Sequence, residues 1–237
     1  MNRKNDMKLK WLGHSSFKIT IGNEAFYFDP IRKNKLLGTI LEPKKEDNVT
    51  AIFISHEHWD HCDDTTVRQL GNMETRIIGP EKALSNLFFP SMSYEFDSFQ
   101  EIGAYFSKKK TYIHHAKPGD KIEFKTCSVK CLAATEGLCY LIAGKKKILF
   151  MGDSVATEEM IKEDPDVILF PVWAVKGDEA KPDEFLILAK ESLCIPMHYH
   201  TSPAAFPQFN EDPMEIKAIF GKKVDMKILA KNKTYQV

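Results

Sequence analysis

The feature that most constrains this chain is Ser55-His56-Glu57-His58-Trp59-Asp60-His61, set directly after the apolar run Val49-Thr50-Ala51-Ile52-Phe53-Ile54. That run reads as a strand covered on both faces, so the cluster falls where a central strand passes into a loop. His56 and His58, two residues apart, point to one side of an extended segment, and a following turn can return Asp60 and His61 toward them. Three histidines packed this closely would repel one another as cations if buried without a metal. Imidazole nitrogen and carboxylate oxygen are ligands that suit zinc and its borderline neighbours, and four at this spacing can serve two ions.

On either side of the cluster the chain alternates strands with short helices. Lys8 to Leu12, Phe17 to Ile21 and Ala25 to Phe28 read as a meander turning at Gly13-His14-Ser15-Ser16 and at Gly22-Asn23. After the cluster, Asp63-Asp64 offers an N-cap for a helix to Leu70, Arg76 to Ile78 reads as a strand, and Pro80 opens a helix through Leu87. Phe88, Phe89, Tyr94, Phe96 and Phe99 crowd together without periodicity, as a lid, a subunit contact or ordinary packing would.

A second set of strands follows at Ala104 to Phe106, Thr111 to His114, Lys121 to Phe124, Ser128 to Ala133, Leu138 to Ala143 and Lys147 to Met151. Helices are expected at Ala156 to Lys162 and Pro182 to Glu191, with strands at Asp166 to Phe170, Leu193 to Met197 and Met226 to Ala230. Two such halves packed sheet to sheet give an α/β (α+β) fold, a four-layer αββα sandwich. Its ligand loops meet along one edge, and residues 1–237 are expected to form a single domain.

His56-x-His58-x-Asp60-His61 resembles the H-x-H-x-D-H signature of the metallo-β-lactamase superfamily of metal-dependent hydrolases. Three further stretches occur in that family's order: Trp11-Leu12-Gly13-His14-Ser15-Ser16-Phe17 with Phe28-Asp29-Pro30, Met151-Gly152-Asp153-Ser154, and Ile195-Pro196-Met197-His198-Tyr199. They resemble the branch that includes L-ascorbate-6-phosphate lactonase. The resemblance implies two divalent metal ions, zinc first, with manganese or iron also open. Asp153 would bridge them and His198 would complete the second ion's shell. It also implies Asp60 as the catalytic carboxylate that orients a water acidified by the metals and passes its proton.

One departure stands out, because the family's third histidine for the first metal is missing: Ala134 is followed by Thr135-Glu136-Gly137. Glu136 is ranked first as its replacement, ahead of Thr135 and of His114 or His115, and a carboxylate there would favour manganese or iron. Asp29 and His14 are expected behind the ligands, where a carboxylate fixes an imidazole's tautomer. His200 is expected to touch substrate or stand behind a ligand, and Lys176 and Lys181 are candidates for an anionic group.

Composition narrows the partners. The 33 basic residues balance 33 acidic ones, so no general attraction to nucleic acid is expected. The polar start and the lack of any apolar run near the roughly 20 residues of a bilayer span predict a soluble cytoplasmic protein. The five cysteines are scattered without a C-x-x-C pair and predict free thiols, with Cys62, next to His61, as a candidate metal contact.

The expected activity is hydrolysis of a lactone or another ester of a small, phosphorylated metabolite, with a homo-oligomer open. Phosphodiester hydrolysis by the same centre, or a degenerate non-catalytic metal-binding member, are the alternatives.

Overall fold

The structure, a computed structural model, describes residues 6–43, 48–72, 74–88, 112–199 and 212–237. The first sheet opens with β1 (Met7–Gly13), β2 (Ser16–Ile21) and β3 (Glu24–Phe28), an antiparallel meander that then pairs in parallel with β4 (Val49–Phe53). Parallel pairing continues outward to β5 (Arg76–Gly79) and β6 (Ile113–His115). Between them come α1 (Asp64–Leu70), whose N-cap Asp63 accepts from the Thr66 backbone N–H, and α2 (Glu81–Phe88).

The second sheet is built from β7 (Lys121–Glu123), β8 (Ser128–Ala133), β9 (Leu138–Ala143), β10 (Lys147–Phe150), β11 (Val167–Pro171), β12 (Leu193–Met197) and β13 (Asp225–Met226). Its helices are α3 (Glu158–Glu163), α4 (Pro182–Leu188) and α5 (Pro213–Phe220). The chain ends in β14 (Thr234–Gln236), which returns to pair with β1. Strand order is β14-β1-β2-β3-β4-β5-β6 in one sheet and β13-β12-β11-β10-β9-β8-β7 in the other.

The sheets meet through aromatic side chains. Phe28 and Phe53 stack at 4.8 Å, and from the facing sheet Tyr140 lies 5.0 Å from Phe53 and Phe150 lies 5.3 Å from Phe28. Burying such rings stabilises by about 1.5–3 kcal/mol each relative to exposure, which explains why the inner positions of β3, β4, β9 and β10 are apolar. Outside the first sheet, Val67 and Leu70 of α1 and Ala83, Leu84 and Leu87 of α2 cover Ile52, Ile54 and Ile77. Outside the second, Phe170 packs on Phe185 of α4, and Phe185 on Phe220 of α5. The four layers are those the sequence predicts.

Three details differ. The strand expected at Thr111 to His114 is observed as β6 and joins the first sheet, pairing with β5, rather than opening the second set. The one expected at Met226 to Ala230 shortens to β13, and α5 and β14 lie where the sequence reading placed no element. The strand at Ala104 to Phe106 and the aromatic stretch from Phe89 to Phe99 fall outside the described residues. Among the described residues no helix is long and apolar enough to cross a membrane.

Candidate metal centre

Each candidate side chain stands at a strand end on one edge of the sandwich. Beyond β4, the Ile54 N–H donates to the Ile78 carbonyl (2.8 Å), while the Ile54 carbonyl accepts from the buried Tyr140 hydroxyl of the facing sheet (2.6 Å). The chain therefore enters Ser55 to His61 from a fixed point. Asp29 follows β3, Asp153 follows β10, His198 follows β12, His14 occupies the β1–β2 turn and Glu136 the β8–β9 turn. The last turn is pressed onto the first sheet, where the Leu138 N–H donates to the Ser55 carbonyl (2.9 Å). Gly137 is needed there: its φ is +66°, and a Cβ would lie 2.1 Å from the Ser55 oxygen.

The structure brings these donors into three overlapping clusters: His14, Asp60, His61 and His198; His56, His58 and Glu136; and His56, His61 and Asp153. The Glu136 Oε2 lies 3.1 Å from His58 Nδ1 and 3.6 Å from His56 Nε2, which puts it within reach of the same ion as those two rings. Asp153 reaches both sides, with Oδ1 3.3 Å from His61 Nε2 and Oδ2 3.5 Å from His198 Nε2.

The competing candidates point elsewhere. Thr135 Oγ1 contacts Ser154 Oγ (3.2 Å), and His114 faces Asp120 (3.7 Å). His115, on the same short strand, joins none of the three clusters. Cys62 directs its thiol to the Ala83 carbonyl (3.7 Å), and burial pushes it up to about 12, so it offers no thiolate. Lys176 pairs with Glu215 (3.0 Å), Lys181 precedes α4 without a side-chain capping hydrogen bond, and His200 lies outside the described residues.

Behind the ligands sits a hub whose second member, Ser55, the sequence reading left without a role. Asp29 is fully buried and surrounded by donors: Ser55 N–H on Oδ1 (2.7 Å), and Ser55 Oγ–H (2.5 Å) with His61 Nδ1–H (2.7 Å) on Oδ2. Because Ser55 gives its one hydroxyl proton to Asp29, its oxygen can only accept from His56 Nδ1–H (2.9 Å). Both imidazoles thereby keep hydrogen on Nδ1, which leaves Nε2 as the position that faces the centre. One carboxylate fixes the tautomer of a histidine in each half of the site.

Charge and burial complete the picture. Burial, then the charge of His198, lowers His14 to about 3, and burial, then His61, lowers His56 to about 3, so both rings are neutral. Burial opposes charge on His61 as well, but Asp153 and Asp60 outweigh it and raise His61 well above the ordinary histidine value. Burial likewise opposes ionisation of Asp60 and Asp153. The neighbouring histidines nevertheless hold both carboxyls well below the usual range.

His56 Nε2 and Asp153 Oδ1 are buried with no hydrogen-bond partner among the described residues. Leaving such atoms unsatisfied costs about 1–3 kcal/mol each, and a divalent cation between them removes that cost. Donor set and orphaned atoms together fit a metal.

Residues 8–198 match the family description of a beta-lactamase superfamily domain. A UPF0173 metal-dependent hydrolase of Thermoplasma acidophilum is 26% identical over 235 residues, covering 91% of this chain and 92% of its own. Among solved structures, a metallo hydrolase from Ignicoccus hospitalis superposes with a TM-score of 0.70 at 20% identity, over 98% of this chain and 99% of that one. A diiron beta-hydroxylase from Streptomyces venezuelae shares the fold at a TM-score of 0.61 and 13% identity, over 99% of this chain and 54% of that one.

Two outcomes follow from the hub and the charges. Asp29→Asn is expected to weaken binding of both metals about 10–100-fold, whereas Ser55→Ala weakens only the ion held by His56, as competitive chelator titration would read. Equal losses in both variants would remove the relay. In the metal-free protein, His14 and His56 titrate lower than in the unfolded chain, so the unfolded state binds more protons between about 3 and the ordinary histidine value of 6.5. The contribution of these two histidines is complete above that window and is lost as acid is added through it, whereas the raised His61 contributes stability that is lost as the pH rises above it. Thermal melts across the window should show that slope, and His14→Gln should flatten it.

Proposed function

The chain belongs to the beta-lactamase superfamily of metal-dependent hydrolases, and from that premise we propose that it opens a small lactone or cleaves a related carboxylic ester at a two-metal centre. The observation that carries this reading is the convergence of His14, His56, His58, Asp60, His61, Glu136, Asp153 and His198 into clusters that share His56 and His61. A purely structural zinc normally closes with four ligands, so a donor set this large favours a working centre.

When bound, two divalent cations would polarise the substrate carbonyl and bring a water's pKa down from about 15.7 toward about 7. The protein's own residues do the rest. Asp60, kept ionised by the histidines around it, is the group that orients the water. His58 and Glu136 have half-exposed side chains and leave that side of the cluster open for the substrate. Trp59, 55% exposed between two candidate ligands, offers an apolar face to the organic part of the ester.

Glu136 is the harder ligand in an otherwise imidazole-rich set, which supports manganese or iron beside zinc at its position. The lactone preference rests on the resemblance of the Trp11–Phe17, Asp29-Pro30 and Ile195–Tyr199 stretches to the ascorbate-6-phosphate lactonase branch.

The test is full-length protein loaded with zinc, manganese or iron and assayed on a lactone panel beside a chromogenic phosphodiester. Lactone hydrolysis is expected, falling about 100-fold or more in Asp60→Asn. Turnover of the phosphodiester alone would overturn the ester assignment. Full metal occupancy with no turnover of either would overturn the enzymatic one for these substrate classes.

A further inference from the structure

The candidate donors do not surround one uniform cup. Asp60 Oδ2 is approached by His14 Nε2 at 2.9 Å, His198 Nε2 at 3.4 Å and His61 Nε2 at 3.5 Å, and all four residues are at most 3% exposed. On the other side, the His58 and Glu136 side chains are 51% and 48% exposed.

We propose that the two metal positions are unequal: a buried resident position, in which His14 is a direct ligand beside Asp60, His61 and His198, and an outer, exchangeable position held by His56, His58 and Glu136. This rests on the two-metal reading above and goes beyond it in naming an extra ligand and an order of loading.

The backbone around His14 supports the assignment. His14 is a non-glycine residue at φ +49°, and the preceding Gly13 sits at φ +101°, where a Cβ would lie 2.5 Å from the Gly38 oxygen. Such conformations persist only where the surroundings over-determine them, and they concentrate at functional sites. Here the His14 carbonyl accepts from Trp11 Nε1–H (2.8 Å) and from the His198 N–H (3.2 Å). The turn is thereby tied to the very loop that supplies a second ligand, and the His14 and His198 rings come within 4.0 Å.

An imidazole meant only to steady Asp60 could approach from behind the carboxylate. His14 instead presents its Nε2 among the donor atoms of His61 and His198, with all these atoms within 4.8 Å of one another. A neutral imidazole ligates through Nε2 once its proton resides on Nδ1.

Unequal burial then sets unequal exchange. Three imidazoles and a carboxylate enclosed in protein hold an ion against solvent, whereas a position closed by the buried His56 on one side and by the half-exposed His58 and Glu136 on the other releases one more readily. The histidine missing from the outer position is matched by one gained in the buried position. The buried set suits zinc, and the outer one, with its higher share of oxygen, accepts manganese.

Zinc titration of the metal-free full chain, read by calorimetry, tests the inequality. Two binding classes at least about tenfold apart are expected, with Glu136→Ala and His58→Ala abolishing only the weaker. X-ray absorption of wild-type protein carrying one equivalent of zinc tests the ligand, since multiple scattering counts bound imidazoles. Three are expected, falling to two in His14→Gln, which keeps an N–H for Asp60 and should weaken the tighter class about 10–100-fold. Equal classes, loss of the tight class in Glu136→Ala, or two imidazoles in the wild type would each overturn the proposal while leaving the two-metal reading standing. Failure to bind any divalent metal would overturn both.

Discussion

The buried carboxylate of Asp29 is the contact on which the rest of the site depends. It lies between two sheet strands, its own N–H donating to the Phe53 carbonyl (2.9 Å), and its oxygens collect every proton that Ser55 and His61 offer. A carboxylate buried this completely is costly unless all its neighbours are donors. That requirement passes outward, because the Ser55 hydroxyl must accept from His56 and His61 must expose Nε2. The electronic state of two candidate ligands on opposite sides of the centre is thus decided by one side chain that touches neither metal position.

The scaffold is arranged to keep those directions fixed. Tyr140 reaches across from the second sheet to the carbonyl just before Ser55, and the Glu136 turn closes over the Ser55 carbonyl, so Ser55 is gripped from the facing sheet at two points. Backbone strain concentrates in the same place: among the described residues, three of the five non-glycine positions with positive φ are His14, Asp29 and His198. A close-packed aromatic interface between the sheets supplies the rigidity that can hold such conformations. Precision at the edge therefore derives from packing in the middle, where Phe28, Phe53, Tyr140 and Phe150 interlock.

Much of this was legible in the sequence, for local reasons. The strands at Ser128–Ala133, Leu138–Ala143 and Leu193–Met197 coincide with their expected bounds because turn residues or a helix end punctuate them on both sides. Asp63 caps α1 as its position before an apolar-periodic run implies. The edge strand β14, Thr-Tyr-Gln, carries no hydrophobic pattern and owes its form to pairing with β1. The strand β6 was assigned to the wrong sheet because chain order does not reveal that β5 still lacked a neighbour. By contrast, α5 had a readable start in Asp212-Pro213, an N-cap followed by proline at the first helical position.

At the site, the H-x-H-x-D-H spacing announces donors, and Glu136 lies beside His56 and His58. Ser55 gives no such sign: a serine before a histidine is ordinary until Asp29, 26 residues away, is seen to take its proton. Asymmetry between the halves is equally invisible along the chain, since it arises from burial. The most direct measurement of the central claim is anomalous diffraction at the zinc edge from crystals soaked in zinc. Two peaks about 3.5–4 Å apart, flanking Asp153 and lying on the Nε2 sides of His56 and His61, are the expected result. A single peak remote from both rings, or ligation through Nδ1 of His56 or His61, would contradict it.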